Sequence, residues 1–463
     1  MSNHDEDEVV LQAGYKPQLH RSLGFFSSFA VSFSLMSITT GIFANYGFVL
    51  SKAGPFGFWT WLLVAAGQTL VALVFAEMAG RIPLTGYAYN WNSKLAKPIV
   101  GWFTGWIALS FYSIGVAATS STAVPVLGAM LGYEIDARTG SYLVIGLIVI
   151  QALLNTGGVK LTSHANVLAV LAEIVGMGVL GVFVLGAVIL IGHPNVELLT
   201  TIPPEPRPYW PAFLMAALMG AWTFVGFEAA ADMTEETVNA RRIAPRGIIS
   251  SILISAIAGF VFIAIMTIAI PDLQTVGAAT YPLAAITTHY FGVAVTNIFL
   301  VFVLIAVFSC SLVTMTAASR LLFAMARDNS FLAAKTFRKI SANRVPLFGI
   351  WLVALVATIF TLLADSVTSL YGAVSVLAAL VYLITIVSFA VGAKHLPSSD
   401  SFSLGIWRWP VIILSCLWLF AEIGLLTIPE EFHTVALATF IVVVTGAVLY
   451  PIIGRHKGAL SKL

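Results

Sequence analysis

Stretch after stretch of about 20 residues in this chain carries no charge, and a run of that length is what crossing a bilayer core of roughly 30 Å requires. Backbone groups in lipid must find partners within their own segment, so each run reads as a helix. Composition agrees: of 463 residues, 59% are hydrophobic and 10% charged, against roughly 25% charged in a soluble domain. That balance excludes a soluble globule, and a disordered chain this apolar does not stay solvated. The runs give twelve candidate spans: 22–50, 56–80, 98–127, 139–159, 165–192, 209–231, 247–271, 291–319, 346–364, 370–393, 409–428 and 433–454. A further apolar stretch, 275–290, is too short to cross and holds Thr280-Tyr281-Pro282; it reads as a re-entrant or surface helix on the outer side. The expected fold is an all-α polytopic membrane protein with 12 transmembrane helices.

An even number of spans puts both termini on one side. With the N-terminus in the cytoplasm, only Lys52, Arg138 and Arg207 of the 23 lysines and arginines fall in outer connections. The other twenty, among them Lys16, Arg455, Lys457 and Lys462, are internal, as the positive-inside rule asks. The reading is a multi-pass protein of the cell (inner or plasma) membrane, with cytoplasmic tails at 1–21 and 455–463. The acidic start Asp5-Glu6-Asp7-Glu8 lacks the basic region of a signal peptide, so the first run is retained as a span. A net charge of +2 leaves no basic patch for phosphates, hence no nucleic-acid partner. Cys310 and Cys416 both lie in apolar runs and form no disulfide framework.

Two spans look interrupted. Span one carries Ser37-Ile38-Thr39-Thr40-Gly41-Ile42-Phe43, and span six carries Trp222-Thr223-Phe224-Val225-Gly226-Phe227-Glu228. Glycine and β-branched residues weaken a helix. Non-helical backbone at membrane depth persists only where protein buries it or where it lines a cavity. Either motif alone reads equally as a packing contact between helices. Paired interruptions at corresponding positions of two halves point to a transporter site. The spans should unwind near Ile38–Gly41 and Thr223–Gly226 and face each other. Their offset is five spans, an odd number, which makes spans 1–5 (22–192) and 6–10 (209–393) inverted repeats, with spans 11 and 12 (409–454) appended.

Several motifs then fall in order. Leu19-His20-Arg21-Ser22-Leu23-Gly24 precedes Thr40-Gly41-Ile42-Phe43; Ala53-Gly54-Pro55 and Ala76-Glu77 precede Pro83-Leu84-Thr85-Gly86-Tyr87-Ala88-Tyr89. Gly226-Phe227-Glu228, Pro245, Ala318-Ser319-Arg320 and Ala326-Arg327-Asp328 follow. Over about residues 15–395 the chain resembles the amino acid–polyamine–organocation superfamily, and its later motifs are similar to the branch of amino acid, choline and γ-aminobutyrate permeases. The resemblance implies the leucine-transporter-type 5+5 inverted repeat and alternating access. Many members carry Gly-Ser-Gly-Ile-Phe in span one; Thr39 and Thr40 replace the first two positions here, leaving less bare backbone for a substrate carboxylate.

The acids within the spans are Glu77, Glu173, Glu228 and Glu422, and the spans contain no base. Such residues are functional candidates by default. Glu77 is expected to pair with Arg81, and Glu422, outside the repeat, to pack peripherally or at an oligomer contact. Some proton-coupled members of the resembled family carry a span-five lysine that contacts the broken first helix; counted from Gly158-Val159-Lys160, Glu173 stands there. A carboxyl withdrawn from water holds a proton readily. It also suits Na⁺, with Ser309, Ser311 or Thr314 adding oxygens, and a satisfied structural hydrogen bond is the plain alternative. Glu228 reads as coupling, gating or structural.

The candidate substrate site comprises Ile38, Thr39, Thr40, Gly41, Phe43, Phe111, Tyr112, Trp222, Phe224, Val225, Gly226 and Phe227, with Glu173, Glu228, Ser311 and Thr314 for ion coupling. Aromatic faces and carbonyls suit an ammonium group, and the absence of a buried base disfavours an anion. Related exchangers place a tryptophan like Trp222 against substrate. Cationic amino acid members often have an acid where Phe111 stands, so arginine and lysine fit poorly. The expected function is secondary active import of a small amino acid or amine, γ-aminobutyrate-like or another ω-amino acid, coupled to H⁺. Na⁺ coupling, or exchange of choline, ethanolamine or polyamine, is the alternative. A channel or receptor-like binding protein is the reading from a different class, but a channel wants a continuous polar stripe. No metalloprotease, nucleophile-elbow or phosphate-loop motif appears, so no enzyme, cofactor or metal site is expected.

Overall fold

A computed structural model describes residues 11, 18–19, 21–204, 208–364, 366–396 and 402–454. Most of the expected N-terminal tail, the whole C-terminal tail 455–463, and Lys16, His20, Arg207, Arg455, Lys457 and Lys462 lie outside the described residues. Among the described residues the regular structure is helical, and the only β pairing is one isolated parallel bridge between Leu23 and Thr237.

In chain order, α1 (Phe25–Met36) and α2 (Ile38–Ala53) form one span split at Ser37. Then come α3 (Thr60–Arg81), the short α4 (Tyr87–Leu95), α5 (Pro98–Ser121, running on to Leu131), α6 (Ala137–Thr156) and α7 (Val159–Leu190). The segment 209–232 is broken into α8 (Tyr209–Met215), α9 (Leu218–Thr223) and α10 (Ala229–Asp232). The chain continues with α11 (Ala240–Ile268), α12 (Pro282–Arg327), α13 (Leu347–Leu363), α14 (Val367–Gly392), α15 (Arg408–Leu425) and α16 (His433–Leu449). Ten helices among the described residues are long and apolar enough to cross a bilayer; α13 is apolar but shorter. The chain is a multi-pass membrane protein.

Local chemistry sets the boundaries. Pro98 and Pro282 open α5 and α12, at the first-turn position where a missing N–H costs nothing. Asp136 caps α6 by accepting the Arg138 and Thr139 N–H groups, and Ser366 caps α14 through Ser369 N–H, satisfying donors a helix start leaves orphaned. The stretch expected as a surface helix, 275–290, is Leu273–Ala278 followed by the opening turns of α12, which bends at Gly292.

Two span ends fall later than expected. Asp232 continues span six and Arg320 lies inside α12, which runs to Arg327; both side chains are buried. Asp232 and Arg320 are therefore buried charges that the charge-free runs did not include. Each has partners within hydrogen-bond reach, which is what lets a helix carry a charge inward.

In the packing, α11 lies on α3 and α1, α12 on α5 and α7, α14 on α5, and α9 on α2. These helices enclose the two interrupted segments. At the periphery, α15 lies on α3 and α14, and α16 on α14. Phe420 and Phe440 on these outer helices are exposed, as suits a hydrocarbon solvent rather than water.

Candidate substrate site

The break in span one is a single residue. Ser37 sits at φ 31°, ψ 92°, a strained backbone for a serine. Its hydroxyl accepts the Thr40 N–H at 3.3 Å and so caps α2. In a continuous helix the Thr39 N–H would meet the Leu35 carbonyl. Here Thr39 N–H goes to Glu173 Oε1 at 3.0 Å, Ser37 Oγ–H goes to the same oxygen at 3.1 Å, and the Leu35 carbonyl takes the Cys310 thiol at 3.1 Å. One lost helical bond is thus shared between α7 and α12. Ile38, Thr39, Thr40 and Gly41, expected to unwind, are instead the first turn of α2. Capping by Ser37 outweighs their weak propensities.

Span six opens further. Thr223 ends α9, and Phe224–Glu228 lack regular helix. Gly226 has φ 115°, where a Cβ is strained, and a Cβ there would lie 2.0 Å from Leu35. The expected opening at Thr223–Gly226 is therefore shifted toward Glu228. Ser32 Oγ donates to the Phe227 carbonyl at 2.7 Å and accepts the Ala230 N–H at 2.9 Å. This hydroxyl satisfies the second break from the first span. On the other flank α2 crosses α9 at Gly41, whose added Cβ would sit 1.9 Å from Thr223 Oγ1.

Between the breaks lies a cavity of about 20 Å³ lined by Leu35, Met36, Thr40, Phe111, Tyr112, Gly115, Thr119, Trp222, Val225, Cys310, Thr314 and Val374. One water needs roughly 10–15 Å³, so the site has room for little more than a single water. A second cavity of about 20 Å³ is bounded by residues including Phe43, Tyr46, Thr122 and Tyr281. The Trp222 ring packs on Tyr371 at 4.6 Å with the planes tilted by 37°, and the Tyr371 hydroxyl is 2.7 Å from Thr122 Oγ1. These three side chains run from one cavity to the other.

Of the expected residues, the structure brings Thr40, Phe111, Tyr112, Trp222, Val225 and Thr314 to the first cavity. Gly41 and Gly226 contribute close backbone approach, and Thr39 its N–H. Others point elsewhere. Ile38 lines an apolar groove with Phe33 and Ile174. Phe43 packs on Phe299 at 5.2 Å, Phe224 on Trp61 at 4.7 Å, and Phe227 on Tyr382 at 5.0 Å. In α2 helical periodicity turns Ile38 and Phe43 to other faces than Thr40, and the non-helical stretch 224–228 seats Phe224 and Phe227 among other rings, so proximity in sequence overstated the lining. Ser311 lies with Ser120 at 2.8 Å and donates to Gln151 at 3.0 Å, and Ser309 donates to Asn166 at 2.8 Å and lies 3.0 Å from Ser34. No hydrogen bond joins either serine to Glu173 among the described residues.

The other acids have distinct settings. Glu228 accepts from Tyr382 OH (2.7 Å), Tyr112 OH (3.1 Å) and Gly226 N–H (3.1 Å). Glu77 pairs with Arg81 and with Arg408, each at 2.6 Å. Glu422 is buried and accepts from Gln68 at 2.8 Å, so α15 is pinned to α3. Sequence reasoning missed Ser37 as the hinge, Tyr371 and Tyr382 as partners, and Asp232. A lone serine ahead of Thr-Thr-Gly is a capping signal, and it marked the first of these.

The sequence profile of a family described as amino acid permease matches residues 23–450. The chain is 29% identical to Amino-acid permease BAT1 of Arabidopsis thaliana over 93% of this chain and 90% of that protein. It is 29% identical to the Amino-acid permease BAT1 homolog of Oryza sativa subsp. japonica over 75% and 72% of the two chains. Branched-chain amino acid permease BcaP of Lactococcus lactis is 26% identical over 70% and 71%.

Proposed function

We propose that this chain, which belongs to the amino acid permease family and is thus a multi-pass membrane transporter of amino acids and not an enzyme, imports a small neutral amino acid or ω-amino acid by alternating access driven by protons. One observation carries the reading: the Glu173 carboxylate takes the Thr39 N–H and Ser37 hydroxyl at the break of span one. Protonating that oxygen acceptor weakens the bonds that hold α1 and α2 apart from a continuous course, which links a proton to the geometry of the cavity wall. Na⁺ would want several converging oxygens, whereas Ser309 and Ser311 are engaged with Asn166 and Gln151; this favours the proton. No Lys, Arg, Asp or Glu is among the residues lining the cavity, which favours a neutral substrate with its ammonium near Trp222 and Phe111 over a polyamine. The split segments at 25–53 and 209–232 support two inverted repeats, 22–192 and 209–393, with 409–454 appended, twelve crossings in all and both termini cytoplasmic in the cell membrane.

The test is uptake by the purified protein in proteoliposomes. Counterflow against leucine, γ-aminobutyrate, choline, ethanolamine and putrescine should be supported by one of the first two. A one-unit pH gradient sustains about tenfold accumulation at one proton per substrate. Glu173→Gln should lose that accumulation and keep counterflow, since exchange needs no net proton movement. Accumulation by Glu173→Gln at the wild-type level sinks the coupling role. Wild-type uptake that collapses when Na⁺ is replaced by a bulky cation at constant pH gradient turns the reading to Na⁺.

A further inference from the structure

On the far side of Tyr112 from the cavity, two carboxyls share one phenol. The Tyr112 oxygen lies 3.1 Å from Glu228 Oε1 and 2.7 Å from Asp232 Oδ2, and both acids are fully buried. A tyrosine hydroxyl has one hydrogen to donate but can also accept. It serves both neighbours only if one of them brings a hydrogen of its own; two ionised carboxylates would leave an oxygen pair without a proton between them. The surroundings say which acid that is. Glu228 already accepts from Tyr382 OH and Gly226 N–H, the setting of a carboxylate. Asp232 takes the short contact to Tyr112 and has the Gly86 backbone N–H beside it, one donor fewer than Glu228; no well-aligned hydrogen bond reaches its Oδ1, and the Tyr87 hydroxyl lies against Tyr112, the two rings 6.4 Å apart. The bases on this side are committed, Arg320 of α12 to Glu236 at 3.1 Å and Arg327 to Glu235 at 3.0 Å.

We propose that Asp232 is a proton-binding site beside the substrate cavity and separate from Glu173, donating to Tyr112, which in turn donates to Glu228. When Asp232 releases its proton, the Tyr112 hydrogen turns to the new carboxylate and Glu228 keeps only Tyr382 and Gly226. Because Tyr112 is also a wall of the cavity, occupancy of Asp232 is felt at the site and at the opened backbone around Gly226. The use made of this proton in transport rests on the proton-driven reading above; its presence does not.

Infrared spectroscopy of the full-length protein in lipid nanodiscs tests it without a substrate. Wild type at neutral pH should show the carbonyl stretch of a protonated carboxylic acid, sensitive to D₂O, that Asp232→Asn removes. Glu173→Gln should retain that band. Tyr112→Phe, which preserves the ring, should shift its frequency because the acid loses its acceptor. An Asp232→Asn spectrum missing no carboxylic-acid band overturns the proposal. So does an unshifted band in Tyr112→Phe, the variant to use if Asp232→Asn does not fold. A band that appears only when Na⁺ is withdrawn makes the pair a cation site and overturns it as well. Failure of the proton-driven reading registers separately, as normal accumulation by Glu173→Gln.

Discussion

Gly41 illustrates how one residue type answers two different demands. Beside Thr39 and Thr40 it suggested a weak point in a helix, since all three lower helix propensity. In the fold it is helical, and its missing side chain admits Thr223: an added Cβ would lie 1.9 Å from Oγ1 and 2.7 Å from both Cβ and Cγ2. Gly41→Ala should therefore force α2 and α9 apart and lower uptake at least tenfold with normal membrane insertion. Adding Thr223→Gly, which removes all three clashing atoms, should recover part of it, as read by uptake and thermal stability in detergent. Propensity identified the right neighbourhood but not the residue, because the break depends on a capping hydroxyl at Ser37 and a carboxylate from α7. Neither partner is visible in a local window. Glu173 was legible for a simpler reason: an acid in an otherwise apolar span stands out whatever it touches.

At the level of elements, the helix ends that bear most of the basic residues are tied together by charge. Arg320 of α12 meets Glu236 at 3.1 Å, with both side chains buried, and Arg327 bridges both oxygens of Glu235 at 3.0 Å. Removing one partner of a buried pair costs about 3–5 kcal/mol, whereas replacing both by apolar groups is often neutral. Arg320→Met should lose stability of that order in detergent unfolding, and Arg320→Met with Glu236→Met should regain much of it. If the double variant is no better than the single, the pair is not the source of the loss. These pairs also explain why span ends were misplaced. Run length reads a charge as the end of a helix, but α12 carries Arg320 inward because Glu236 is waiting, and span six carries Asp232 inward because Tyr112 is.

For the whole molecule, run length was decisive for the long apolar helices, and the paired weak motifs placed both interrupted segments. Neither could foresee which side chains converge, since that depends on α1 packing against 226–230 across nearly 200 residues of chain. That packing joins the two broken segments into a single body. Ser32 bonds both Phe227 and Ala230, while Leu23 and Arg21 bond the backbone at 234–238. The cavity beside this body is small, and one of its walls is the thiol of Cys310, held to the Leu35 carbonyl. The other cysteine, Cys416, lies on peripheral α15. In a Cys416→Ser background, maleimide labelling should thus report on Cys310 alone. An amino acid that occupies the cavity should slow that labelling several-fold, and one that does not fit should leave it unchanged. Equal rates with every amino acid tried would mean that Cys310 is not beside the bound cargo. The protein thus carries its own reporter thiol, with which its cargo can be sought by competition alone, before any flux is measured.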